Sequence, residues 1–173
     1  MTTFDFGNGL VPAHQHPNGG GWVAETATVS ETAYVGPDAW VAGNAKVFGD
    51  AVVSDNAKVS GYAEVSDYAM VTGNARVSDY ARVYGNALVY GNVRVSGYAW
   101  VCGTAKVYDN AKVYDNAWVS GYAWVSGDAV VSGAAVVSGD AVVTDNAVVS
   151  SDAWVSGRAQ VFGNAKVSGD AKG

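Results

Sequence analysis

Valine stands at position 23 and at every sixth position after it through Val167, twenty-five times without insertion, deletion or substitution. Alanine follows four residues behind each valine, from Ala27 to Ala171, with Val93 as the one exception. Between the two lies a polar turn pair, typically Gly or Asp followed by Asn, Asp or Tyr, as in Gly85-Asn86 or Asp67-Tyr68. The idealised unit reads Val-Ser-Gly-Asn-Ala-Xaa. Its Ala-Xaa-Val-Ser portion alternates with a period of two, which predicts a short half-buried strand. Ala and Val are predicted to point inward, and the variable residue and the serine or tyrosine outward. The Gly and Asn or Asp positions supply the backbone freedom of a sharp turn. A strand of four residues cannot bury its apolar face alone, so the units must stack on copies of themselves as a solenoid.

The turns set the number of strands in one coil. Every eighteenth residue from Asp38 gives Asp38, Asn56, Asn74, Asn92, Asn110, Asp128, Asn146 and Asn164, an unbroken column, whereas the other two turn columns are mixed. One of these holds Tyr62, Tyr80 and Tyr98 in succession. An eighteen-residue period means three strands per coil, a triangular cross-section and like residues in ladders, with asparagine amides bonded from rung to rung. About eight coils at roughly 4.8 Å per rung make a rod about 40 Å long. The expected fold is all-β, a parallel β-helix over residues 22–173 with no inserted loops. Residues 1–21, through Phe4, Phe6, Leu10 and Val11, are expected to cap its first coil.

On this repeat, residues 22–172 resemble the left-handed parallel β-helix of the hexapeptide-repeat superfamily. The opening Gly19-Gly20-Gly21-Trp22-Val23, followed by Val29-Ser30, is also similar to the start of uncharacterised bacterial and prophage hexapeptide-repeat proteins. The resemblance implies the left hand, against the usual sense of parallel crossovers. It also implies trimers. Many members are acyltransferases whose general base is a histidine, often near a loop that interrupts the coils, and related zinc carbonic anhydrases use three histidines. This repeat tract has neither histidine nor interruption, and the chain has two histidines in all. No catalytic residue, cofactor or zinc site is therefore expected.

Sorting the outward residues by face brings out two kinds of surface. Trp100, Trp118, Val136 and Trp154 form an apolar stripe on the second face, and Val52, Met70, Leu88, Trp124 and Val142 form others on the third. Monomers rarely expose such stripes, so these residues are the expected interface. Trp100 and Trp118, one rung apart, are expected to cover each other, which disfavours a sugar platform. On the first face Lys58, Arg76, Arg94 and Lys112 occupy consecutive rungs. They suit either a strip for a polyanion or, as we favour from sequence, solubility and protection against lateral strand pairing.

The remaining chemistry is sparse. His14 and His16 share one side of an extended segment and could form half a metal site, with Asp5, another chain or water completing it. They are weak candidates beside an ordinary structural role. Cys102 is expected outward beside Trp100 as an incidental surface thiol. Asp55, Asp67, Asp79 and Asp109 look like turn formers, and scattered Thr28, Thr72 and Thr144 argue against an ice-binding face. Net charge is −6 with a pI near 4.6, so nucleic acid is not an expected partner. No leader pattern opens the chain and no apolar run is long enough to span a bilayer, so a soluble protein, cytoplasmic or virion-associated, is expected.

At the far end the repeat runs to Lys172-Gly173, leaving an expected bare edge. The expectation is a structural or interaction module, not an enzyme. Its apolar faces or open end would drive homo-oligomerisation, as a trimer or by end-to-end stacking. A non-catalytic relative of the acyltransferases and a glycan-binding surface or phage rod are the alternatives.

Overall fold

The computed structural model describes residues 2–169, and the bare edge expected at Lys172-Gly173 lies outside them. All regular structure among the described residues is strand. From Trp22 onward, strands of two or three residues recur every six residues and every third one pairs in parallel. Three sheets result, with Trp22 opposite Trp40, Thr28 opposite Lys46 and Tyr34 opposite Val52. The molecule is a β-solenoid of about eight turns, one coil per eighteen residues, with no inserted loop among the described residues.

The inward column is as the repeat requires. From Val35 to Val155 no valine of the six-residue series exposes more than 1 % of its surface, and the intervening alanines are equally enclosed. Val93, at an alanine position, is fully buried, so the column absorbs two extra methyl groups at one rung. Backbone amides of the outward residues donate to alanine carbonyls one coil on, as from Lys58 to Ala75 (2.9 Å) and from Arg76 to Val93 (2.9 Å). The residue after each valine departs from expectation. It sits at a corner of the triangle, where Ser66, Ser126, Ser132 and Cys102 are buried and other small side chains, such as Ser60 and Ser78, are half-buried. Bulky residues at the same position, such as Phe48 and Phe162, cannot tuck in and protrude.

The turns carry a rule beyond their composition. Their first residue has φ between 56° and 80° from Gly43 onward, whether glycine, Ser151 or one of Asp55, Asp67, Asp79, Asp109, Asp115 and Asp145. Each of these aspartates accepts, at Oδ2, the amide of the glycine one coil on, as Asp67 from Gly85 (2.9 Å) and Asp145 from Gly163 (2.9 Å). A Cβ on the glycine one coil before an aspartate would meet that aspartate's backbone, at 2.8 Å for Gly97 against the Asp115 nitrogen. Five of the six aspartates are accordingly flanked by glycine on both sides along a column, and Asp55 has Pro37 before it and Gly73 after it. The second turn position holds the ladders: Asn74 Nδ2 donates to Asn92 Oδ1 (3.1 Å), and Asn92 Nδ2 to Asn110 Oδ1 (3.0 Å). Tyr62, Tyr80 and Tyr98 stack at 5.1 and 4.9 Å with nearly parallel rings.

The first twenty residues continue the first sheet instead of starting another coil. Strand β1 (Thr3–Asp5) pairs antiparallel with β2 (Leu10–Gln15), which pairs antiparallel with β3 (Trp22–Ala24). Phe4 stacks on Trp22 (4.7 Å) and Phe6 meets Trp40 edge-on (5.4 Å), both on the outer surface, while Leu10 and Val11 stay exposed. The turn between β2 and β3 closes the neighbouring strand edge: Val35 donates to the Asn18 carbonyl (3.0 Å) and Gly21 donates to the Val35 carbonyl (2.9 Å). Paired or covered edges of this kind resist edge-to-edge aggregation.

Two substitutions test this account. Val95→Asp places a charge in a core with no polar partner and is expected to abolish the cooperative thermal transition seen by circular dichroism. Gly97→Ala combines a left-handed backbone with a backbone clash and is expected to cost about 2 kcal/mol in chemical denaturation. Unchanged melting of either variant contradicts the corresponding register or turn.

Candidate functional site

Because valine and alanine occupy every inward position, any function among the described coils has to use the outward residues. On each face these stand one rung apart in exact sequence register, so a column of eighteen-residue spacing is a straight row on the surface. The expected interface residues lie in such rows. Trp100, Trp118, Val136 and Trp154 follow one another on the second sheet. Val52, Met70 and Leu88 are contiguous on the third, where Lys106 separates them from Trp124 and Val142.

The rows differ in how far their side chains are covered. Trp100 is half-buried: Trp118 meets it edge-on at 5.5 Å, Tyr84 edge-on at 6.1 Å, and the Arg82 guanidinium lies 5.4 Å from its ring. Trp118, Trp124 and Trp154 remain 43, 44 and 51 % exposed. Reading around the rod instead of along it shows a feature that sorting by face concealed. Trp118, Trp124, Val130, Val136, Val142, Val148 and Trp154 are seven consecutive outward residues without a charge. They form an apolar collar touching all three faces. From Lys46 to Lys112 the same positions are interrupted by Lys, Arg and Glu.

Charged residues are organised by face. On the second face Glu64 stands between Lys46 (3.8 Å) and Arg82 (3.4 Å), an alternating row. Beside it the tyrosine stack of Tyr62, Tyr80 and Tyr98 walls a shallow groove that ends at Trp100. On the first face Lys58, Arg76, Arg94 and Lys112 are in register on consecutive rungs, and none joins an ion pair among the described residues. Lys58 also lies over the Trp40 ring at 5.0 Å.

The remaining sequence candidates have structural partners. His14 Nδ1 lies 2.8 Å from Glu25 Oε1, an exposed pair. His16 is 4 % exposed, and its Nδ1 accepts the Asn18 amide (3.3 Å) inside the turn. Asp5 accepts the amides of Gly7 and Gly9. No group of three His, Cys, Asp or Glu is placed to hold a metal among the described residues. Cys102 corrects expectation: it is only 6 % exposed, because it occupies a corner position and Trp118 Nε1 donates to its Sγ (3.2 Å). An outward location in sequence thus does not make it a surface thiol. Tyr84 lies beside it, and burial, followed by the bond to Cys102, pushes its phenol up to about 12.

Four stretches, residues 81–91, 89–103, 111–127 and 123–139, match the family described as YdcK Beta solenoid repeat. No curated protein matches the chain. The family matches fall in the central coils, and together with the stacked sheets they establish a repeat β-helix.

Tyr84 offers a pH test. Its folded pKa lies above the ordinary tyrosine value of 10, so its contribution to stability is full below pH 10 and is lost as pH rises toward about 12. In Tyr84→Phe the alkaline fall in melting temperature is expected to be shallower than in the native protein. Parallel alkaline limbs contradict the assignment.

Proposed function

We propose that this chain is a non-catalytic structural module, a rigid rod that associates side by side with further copies of itself through its apolar outer faces. The observation that carries this reading is the collar from Trp118 to Trp154, seven outward apolar residues in succession on a fold that places no restriction on what stands there. Solvent-facing strands ordinarily carry interspersed charge, as those from Lys46 to Lys112 do. A continuous apolar band is instead the pattern of a surface removed from water by protein. Within each face its residues stand in a straight row, which favours a like partner, since two flat faces with the same rung spacing stay in step along their length. With the resemblance as a guide, the coil is read as left-handed and the assembly as threefold, in a bacterial or phage protein. The absence of a histidine from the coils supports a non-enzymatic role over an acyltransferase.

Multi-angle light scattering across a concentration series tests the proposal. The native chain is expected to run as an oligomer, and Trp118→Lys with Trp154→Lys, which leaves the valine column intact, is expected to run as a monomer. A native chain that stays monomeric at high concentration overturns it.

A further inference from the structure

Lys58, Arg76, Arg94 and Lys112 present a problem that the second face has solved. Like charges directly opposite one another on adjacent strands repel. Lys46, Glu64 and Arg82 avoid this by alternation, with separations of 3.8 and 3.4 Å. The first face, built from the same repeat and equally free in composition, stacks four cations without one intervening carboxylate. The nearest acidic residues by sequence are turn aspartates held by the backbone. Asp55, Asp79, Asp109 and Asp115 accept the amides of Gly73, Gly97, Gly127 and Gly133 at 3.0 to 3.2 Å, and Asp79 also faces the Ser78 hydroxyl. None of them forms an ion pair with the row.

We propose that this row is a binding strip for a linear anionic polysaccharide with one carboxylate per sugar. The row is straight and offers one positive charge per rung of about 4.8 Å, a spacing close to the length of one pyranose in an extended chain. Its borders are suited to sugar hydroxyls. The amides of Asn74, Asn92 and Asn110 run along one corner, and Ser78 and Ser96 lead to the tyrosine edge along the other. Duplex DNA is a poorer match, because its phosphates follow a helical path with a charge every ~1.7 Å of axis. The net charge of −6 further opposes so dense a polyanion. The strip precedes the apolar collar along the rod, so this inference does not depend on lateral association.

The test uses the full chain with polygalacturonate as probe, neutral dextran as control and a single-stranded oligonucleotide as competing polyanion, measured by calorimetry at low salt. Polygalacturonate is expected to bind, more weakly as salt rises, and dextran to give no heat. Arg76→Glu places a carboxylate between Lys58 and Arg94, as Glu64 stands between Lys46 and Arg82. This variant is expected to melt no lower than the native chain while its affinity falls about tenfold or more. Arg76→Gln with Arg94→Gln is expected to weaken binding in the same direction, and Lys46→Gln to leave it unchanged. Light scattering on the same samples reports association separately, so a loss of polysaccharide binding is distinguished from a loss of assembly. No binding by the native chain, undiminished binding by Arg76→Glu and the double glutamine variant, or tighter binding of the oligonucleotide each overturns the proposal.

Discussion

Each coil of this protein rests on the next at the spacing of paired β-strands, and that stacking admits only a narrow interior. Three strands of two or three residues close a narrow triangle filled by a valine and an alanine from each side, with Val93 the one larger residue at an alanine position. The enclosure is so complete that the valines from Val35 to Val155 have almost no contact with water. No single strand in the solenoid would be stable alone. Cooperativity therefore comes from the column as a whole, and every side chain in it is held above and below by its own equivalent.

The corners obey the same spacing. A left-handed residue at the first turn position lets the chain change direction three times in eighteen residues without lengthening the loop. Aspartate substitutes for glycine there because its carboxylate accepts the amide of the next coil. In every case the residue one coil on is glycine, since successive turns approach within a Cβ's reach of each other's backbone. The enclosed corner residues reflect the same crowding, and they explain why Cys102 is covered by Trp118 although its side chain follows an outward pattern.

With the inside fixed and the turns constrained, the widest chemical variety falls on the outward strand residue, one in six. Distinct surfaces can then be laid on one backbone without disturbing it: an alternating charge row at Lys46–Glu64–Arg82, an unopposed cationic row at Lys58–Lys112, and an apolar collar from Trp118 to Trp154. Rows along the rod read residues eighteen apart, whereas the collar reads residues six apart. The two directions are independent, which makes the repeat a convenient carrier for more than one binding surface.

Much of this was legible in the sequence. The unbroken six-residue valine series specified strand, inward face and period, and the Asp38–Asn164 column specified three strands per coil, because a solenoid converts sequence distance directly into position. The in-register rows of Lys58 to Lys112 and of Trp100 to Trp154 followed by the same arithmetic. Outside the repeat that arithmetic fails. Residues 1–21 could be read as a cap, but only the fold showed an antiparallel extension of the first sheet with Phe4 on Trp22, since such pairing depends on a chain reversal that no period encodes. Likewise the burial of Cys102 and His16, the pairing of His14 with Glu25 and the bonds of the turn aspartates were decided by the tertiary structure. Sequence assigned each residue to a row and a face; the depth of a side chain and its polar partner depend on neighbours one coil away, and only the folded stack brings those together.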